Sequence, residues 1–111
     1  RERLTHIQDA IRRIFRHVHG MDFDGFADDE KTIDAVVRNL EIIGEAVRFL
    51  PKEFQAANPG LPWRNMMRMR NRLIHGYSDV DISVVWETVN EDLPPLPALI
   101  QELLESVEDP G

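Results

Sequence analysis

Apolar residues recur at intervals of three and four along almost the whole chain. Such spacing places them on one side of an α-helix, where they can face a common core. No segment shows a sustained alternation of apolar and polar residues, which is the pattern typical of a half-buried strand. The sequence therefore predicts an all-α protein.

The apolar pattern falls into five predicted helices. Their apolar stripes run from Leu4 to Val18, from Ile33 to Leu50, from Trp63 to Ile74, from Ile82 to Leu93 and from Leu96 to Val107. Glycines are expected to end the first and third helices at Gly20 and Gly76. Aspartates are expected to cap the second helix (Asp28 or Asp29) and the fourth (Asp79 or Asp81).

Two stretches between these helices are rich in turn-forming residues. Residues 21–29 are predicted to form a loop rich in Asp and Gly, and residues 51–62 a loop with about one helical turn. Pro94, Pro95 and Pro97 stand where the first turn of the fifth helix tolerates proline. The predicted fold is an up-and-down bundle of four to five helices that forms a single domain over residues 1–111.

Charge is unevenly distributed along the chain. The 13 basic and 20 acidic residues give a net charge of −7, but residues 73–111 contain nine acids and no base. Four arginines cluster just before that acidic third: Arg64, Arg68, Arg70 and Arg72. A local basic surface is therefore expected beside an acidic one, and arginine suits bidentate contact with phosphate.

Composition excludes several kinds of protein. The chain has no Cys, which rules out disulfides, Cys-based zinc sites and a thiol nucleophile. Apolar runs are too short to cross a membrane. Arg1-Glu2-Arg3 is not followed by an apolar stretch, so we expect no secretory signal and a cytoplasmic location.

Two segments have a weak resemblance to metal sites. Asp22-Phe23-Asp24-Gly25 resembles part of a calcium loop, but the glycine comes too early, and a capping loop is the expected structure. His17 and His19 are two residues apart and do not share a helix face, so we expect no metal there.

The second helix carries an acidic flank of Asp34, Glu41 and Glu45, with Arg38 among them. This flank either is solvated with internal ion pairs or faces the arginine cluster.

The stretch from Arg64 to Tyr77 contains an anomaly. On a helical projection with Met66 at the origin, Met69 and Leu73 fall on an apolar arc, and Arg70 falls inside that arc at about 40°. A polar stripe lies opposite and holds Arg64, Arg68, Asn71 and His75. A charge on an apolar arc must be paired, interfacial or functional, because burying it alone is very costly.

Periodicity alone leaves the role of this stretch open. It fits a bundle helix with a solvated arginine face and a histidine at its end, and it also fits a functional site. Arg70 and His75 are about 140° apart on an ideal helix. They can act together only if the helix distorts before Gly76 or a second copy of the chain supplies the facing group.

The string Met69-Arg70-Asn71-Arg72-Leu73-Ile74-His75-Gly76-Tyr77 resembles the R-x4-H-x-Y motif of the HepT-like toxins, a branch of the HEPN superfamily. The segments from Arg38 to Ala46 and from Asp81 to Pro94 are similar to the same family. The resemblance covers nearly the whole chain in order and length.

This resemblance implies a HEPN-like, dimeric, metal-independent endoribonuclease without a cofactor, the toxin of a type VII toxin–antitoxin pair. Arg70 and His75 would be catalytic and would line a cleft between two protomers. The remaining candidate residues, Asn71, Arg64, Arg68 and Arg72, are predicted to bind RNA. Tyr77 would be the residue to which a partner nucleotidyltransferase antitoxin of the MNT type attaches AMP.

Two other functions stay open at this point. One is a catalytically inactive helical module that binds RNA, a nucleotide or only its partner. The other is an acidic structural dimerisation domain. The intact set of Arg70, His75 and Tyr77 favours the ribonuclease.

Overall fold

The computed structural model describes residues 2–74 and 81–108, and it describes their side chains except at 69–74 and 107–108. Every regular secondary-structure element of these residues is a helix, which confirms the all-α prediction. The helices are α1 (Glu2–Val18), α2 (Phe23–Ala27), α3 (Glu30–Arg48), α4 (Lys52–Ala57), α5 (Trp63–Ile74), α6 (Ile82–Glu87), a π-helical turn (Thr88–Asp92) and α7 (Leu96–Glu108).

The helix ends follow the capping residues in the sequence. Gly20 has a φ of 78°, a conformation that favours glycine, and it lies just after α1. The Asp29 carboxylate accepts a hydrogen bond from the Thr32 amide at 3.1 Å and caps α3. Asp81 accepts from the Ser83 amide at 3.0 Å and caps α6. Of the two candidates for each cap, Asp29 and Asp81 are therefore the caps of α3 and α6.

The segment predicted to be a loop over residues 21–29 contains the short helix α2. Asp22 starts this helix by accepting a hydrogen bond from the Gly25 amide at 2.8 Å. The expected capping role is therefore confirmed, whereas the assignment of the whole segment to a loop was wrong. Burial of Phe26 holds α2 against the core, which is a tertiary effect that a five-residue stretch does not reveal.

The core lies between α1, α3 and α5, with α7 packed against α1. Its largest fully buried side chains are Phe26, Leu4, Ile7, Ile11, Ile14, Leu40, Ile43, Met66, Leu93, Leu96 and Ile100. These residues belong to the predicted apolar stripes, apart from Phe26 in α2. None of the helices in the described part of the chain is long and apolar enough to cross a bilayer.

The side-chain amide of Gln55 fixes the segment between α3 and α5 to the end of α3. Gln55 of α4 donates from its Nε2 to the backbone oxygens of Val47 at 3.2 Å and Leu50 at 3.1 Å. These bonds tie α4 to the end of α3, where the Val47 carbonyl also accepts from the Leu50 amide at 3.0 Å. The short helix α4 corresponds to the single helical turn expected within residues 51–62.

The fourth predicted helix changes its geometry part-way. It is α-helical to Glu87 and then forms a π-helical turn, in which the Leu93 amide bonds the Thr88 carbonyl at 3.1 Å. The Thr88 hydroxyl donates to the Val84 carbonyl at 2.8 Å, and Thr88 is buried. A hydroxyl that bonds the carbonyl four residues back often bends a helix. The apolar spacing of the sequence does not reveal such a change in helix geometry.

Candidate functional site

The arginine-rich helix α5 is anchored at its start. Trp63 is buried, and its indole Nε1 donates to the Asn58 carbonyl at 2.8 Å. Met66, one turn further on, is fully buried. These two residues turn one side of α5 towards α3, so the opposite side must face solvent.

Arg64 and Arg68 lie on the solvent side of α5. They are four residues apart, about one turn of an α-helix, and both are exposed. Within the described part of the chain, no carboxylate lies within 4 Å of either guanidinium. Their donors are therefore available to an anionic ligand.

For the other predicted site residues, the structure describes either the backbone alone or nothing. The backbone of Arg70, Asn71 and Arg72 is helical, in agreement with the helix predicted from Trp63 to Ile74, and their side chains lie outside the described part. His75 and Tyr77 lie outside the described residues, as does Gly76, the predicted end of this helix. The structure thus places Arg64 and Arg68 one turn apart on the same helix face, and the roles of all seven residues stay predictions.

The acidic flank of α3 forms ion pairs within its own helix. Glu41 lies 3.8 Å from Arg38, and Glu45 lies 3.8 Å from Arg48. Both pairs are exposed to solvent, and pairs of this kind contribute little to stability. These two pairs are internal ion pairs of the kind that the first alternative for this flank expects, and a partnership with Arg70 or Arg72 lies outside the described side chains.

A groove that the sequence analysis missed runs between the start of α1 and the end of α3. It has a volume of about 410 Å³ and is lined by Arg3, His6, Arg38, Glu41, Ile42, Glu45, Ala46 and Phe49. Phe49 is 53% exposed, and the Arg3 guanidinium carbon lies 4.9 Å from its ring centroid. Phe49 does not belong to the apolar stripe of α3. A large aromatic residue outside the stripe was the signal in the sequence that could have indicated this groove.

Comparison with known proteins identifies the family. A family model described as "Ribonuclease HepT-like" matches residues 7–103, which include every described helix from α2 to α6. The chain belongs to the HepT-like ribonuclease family. This confirms the resemblance that the motif around Arg70 and His75 indicated.

Individual relatives within the HepT-like family are similar over most of their length. A protein of Thermococcus cleftensis named "Probable ribonuclease HepT" is 45% identical over 90% of this chain and 91% of its own. "Putative RNase TTE0752" of Caldanaerobacter subterraneus subsp. tengcongensis is 39% identical over 92% and 91% of the two chains. A third relative, "Putative RNase MJ0127" of Methanocaldococcus jannaschii, is 37% identical over 95% and 87%. No solved structure matches the chain.

Proposed function

We propose that this HepT-like chain is an endoribonuclease that cleaves RNA without a metal ion and acts as the toxin of a type VII toxin–antitoxin pair. The observation that carries the proposal is its membership of the HepT-like family, whose R-x4-H-x-Y motif it contains as Arg70, His75 and Tyr77. Arg64 and Arg68 support the same function, because they are exposed, have no ion pair within the described part of the chain, and precede the motif on one helix.

The chemistry uses a nucleophile that RNA itself provides. The 2′-OH of the ribose attacks the adjacent phosphorus, the bond to the 5′-oxygen breaks, and a cyclic phosphate forms. One group must accept the proton of the 2′-OH, and another must donate a proton to the leaving 5′-oxygen. Histidine as a residue type is suited to proton transfer near neutral pH, and His75 takes this role. Arg70 holds the scissile phosphate and stabilises the charge on its oxygens.

A second copy of the chain completes this site. Arg70 and His75 are about 140° apart on an ideal helix and cannot converge from one straight surface. A two-fold axis brings the arginine of one protomer near the histidine of the other. It also gives Arg70 an interface position, which accounts for a charge on an apolar arc.

The remaining polar residues of α5 bind the RNA strand. Arg64 and Arg68 contact phosphates that flank the scissile one, and Arg72 extends this contact towards the motif. Asn71 shares the helix face of His75 and orients either the substrate or the imidazole. Recognition of this kind depends mainly on the backbone of the RNA, so these contacts add affinity rather than sequence preference.

Tyr77 provides the means of neutralisation. A partner nucleotidyltransferase antitoxin attaches AMP to its hydroxyl, two residues from His75. The added phosphate competes for the arginines that would otherwise hold RNA, and the nucleoside occupies space beside the histidine. Loss of activity then follows from charge and bulk together.

The decisive experiment is incubation of the purified chain with total RNA in EDTA, without its partner. We expect cleavage and products that end in a cyclic phosphate or a 3′-phosphate. Products with a 5′-phosphate, or strict dependence on added magnesium, would contradict the mechanism. A chain that binds RNA and leaves it uncut would be the inactive module instead.

A further inference from the structure

Two aromatic side chains form the floor of a surface cavity between α2 and α6. The ring of Phe23 meets that of Trp86 edge to face, with centroids 6.3 Å apart at 69°. Trp86 also packs on the buried Phe26 at 4.9 Å, which holds the indole in place. Phe23 remains 38% exposed. The cavity has a volume of about 410 Å³ and is lined by Phe23, Ser83, Trp86, Glu87, Asn90 and Glu91.

The rim of this cavity is acidic and polar. Glu87 and Glu91 are both exposed, and neither has a basic side chain within 4 Å among the residues that the structure describes. Asn90 donates from its Nδ2 to the Trp86 carbonyl at 2.9 Å, which commits one of its donors and leaves its side-chain oxygen as an acceptor. The rim therefore offers carboxylate and amide oxygens around an aromatic floor.

Trp86 and both carboxylates lie where α6 changes into the π-helical turn. Glu87 ends the α-helical part, and Asn90 and Glu91 belong to the turn. Trp86 and the lining residues on this segment also lie in the acidic third of the sequence, which contains no base.

We propose that this cavity binds the guanidinium or ammonium group of an Arg or Lys side chain in a basic segment of a partner protein. A cation over the face of tryptophan is attracted by the ring, and carboxylates at the rim pair with the same charge. The acidic surface repels RNA and attracts a basic partner, which raises the rate of encounter and selects the partner's charge. The proposal does not depend on ribonuclease activity.

The test uses the full chain and a short peptide of alternating Gly and Arg with blocked ends. The chain has two tryptophans, so two-dimensional NMR reports two indole N–H signals. We expect saturable movement of the Trp86 signal as the peptide is added. The Trp63 signal should stay in place, since that indole is buried and bonded to Asn58.

Matched variants separate the cavity from general acidity. Glu87→Gln with Glu91→Gln should weaken peptide binding by about tenfold, in line with the removal of two exposed carboxylates that pair with the peptide. Glu102→Gln with Glu105→Gln removes the same charge from exposed positions on α7 and should weaken it less than about twofold. RNA cleavage measured without peptide should be the same in both double variants, so failure of this proposal and failure of the ribonuclease proposal are distinguishable.

Several outcomes would overturn the assignment. Equal weakening by the two double variants would show that only overall charge matters. The same movement of the Trp86 signal with a Gly-Gln peptide would remove the need for a cation. Movement with RNA would give the cavity a different ligand. The Trp86 signal could also move when only the protein concentration is raised. If Arg64→Gln with Arg68→Gln abolished that movement, the occupant would be an arginine of a second copy of this chain.

Discussion

The Arg13 guanidinium donates from Nε to the side-chain oxygen of Asn39 at 2.9 Å, which joins α1 to α3 across 26 residues of sequence. Asn39 is only 6% exposed, and its Nδ2 donates to the Ala35 carbonyl at 2.8 Å. The side-chain amide of Asn39 therefore accepts one hydrogen bond through its oxygen and donates another through its nitrogen inside the bundle. Because α3 also packs against α5, this bond helps to fix the helix that carries the arginines.

Asn39→Ala should therefore destabilise the protein. The change removes both hydrogen bonds and leaves the half-buried Arg13 without its acceptor, so the free energy of unfolding should fall by about 1–3 kcal/mol. Asn90→Ala is the matched control, since Asn90 also bonds a carbonyl four residues back but is exposed. That variant should lose less than about 0.5 kcal/mol. Urea unfolding measures both, and equal losses would contradict the role given to Asn39.

Arg64→Gln and Arg68→Gln should each weaken RNA binding without loss of stability. Both side chains are exposed and unpaired in the described structure, so their removal affects only the binding of phosphate. The slope of log affinity against log salt should become shallower by about 0.7 for each single-strand phosphate that is no longer neutralised. Arg16→Gln, an exposed arginine on α1, is the control and should leave the slope unchanged. An equal change in slope for all three would mean that only net charge matters.

Helix positions were predictable where one helix buries a regular stripe. The predicted limits of α5, Trp63 and Ile74, coincide with those in the structure, because Trp63 and Met66 face the core one turn apart. The cap at Asp29 was predictable because a short acceptor just before an apolar stripe satisfies a free amide. These features are local, and local chemistry determines them.

Features that depend on tertiary packing were not predictable. Asn39 falls on the stripe of α3 as a polar residue, and only the approach of Arg13 from α1 explains it. Thr88 falls between the apolar positions of its helix, yet it is buried where the π-helical turn begins, and apolar spacing does not indicate this. Of the candidate site, sequence reasoning predicted that Arg64 and Arg68 lie on the polar face of α5, but it did not predict the groove beside Phe49. That groove exists only because α1 and α3 meet there.

His75→Ala and Arg70→Ala should both abolish RNA cleavage, but they should differ in assembly. A histidine at a helix end contributes little to the core, so His75→Ala should stay folded and dimeric. Arg70→Ala should also loosen the dimer, because Arg70 falls on the apolar arc of its helix. His19→Ala, an exposed histidine just after α1, should keep full activity. Light scattering should give twice the 12.9 kDa chain mass for the active protein. A fully active monomer would refute the shared site.

Asp29→Asn should make the protein less sensitive to acid. Hydrogen bonds from Thr32 hold the pKa of the Asp29 carboxyl below its ordinary value. The folded state therefore gains stability from the ionised form above the unfolded pKa, and it loses that stability as pH falls below about 4. Asparagine still caps the helix but does not titrate. Unfolding free energies at pH 7 and pH 3 should differ less in this variant than in the parent.

The control for this pH effect is Asp34→Asn, which removes an exposed carboxylate of α3 that does not cap the helix. Its stability should decrease with acid as much as that of the parent. If Asp34→Asn reduced the acid sensitivity as much as Asp29→Asn does, the cap would not be the cause.

Tyr77→Phe should yield a protein that resists neutralisation by modification. Tyr77 is the only tyrosine in the chain, so the substitution removes the one phenolic oxygen able to accept AMP while keeping the aromatic ring. Co-expressed with a nucleotidyltransferase antitoxin, the parent should gain mass in steps of AMP and lose activity, because each phosphate competes with RNA for the arginines of α5. The variant should keep its mass and its activity under the same conditions. Intact-mass spectrometry and growth measurements on the two co-expressed pairs decide the question. A parent that is fully neutralised without any gain in mass would show that the antitoxin acts by binding alone, and the role given to Tyr77 would be wrong.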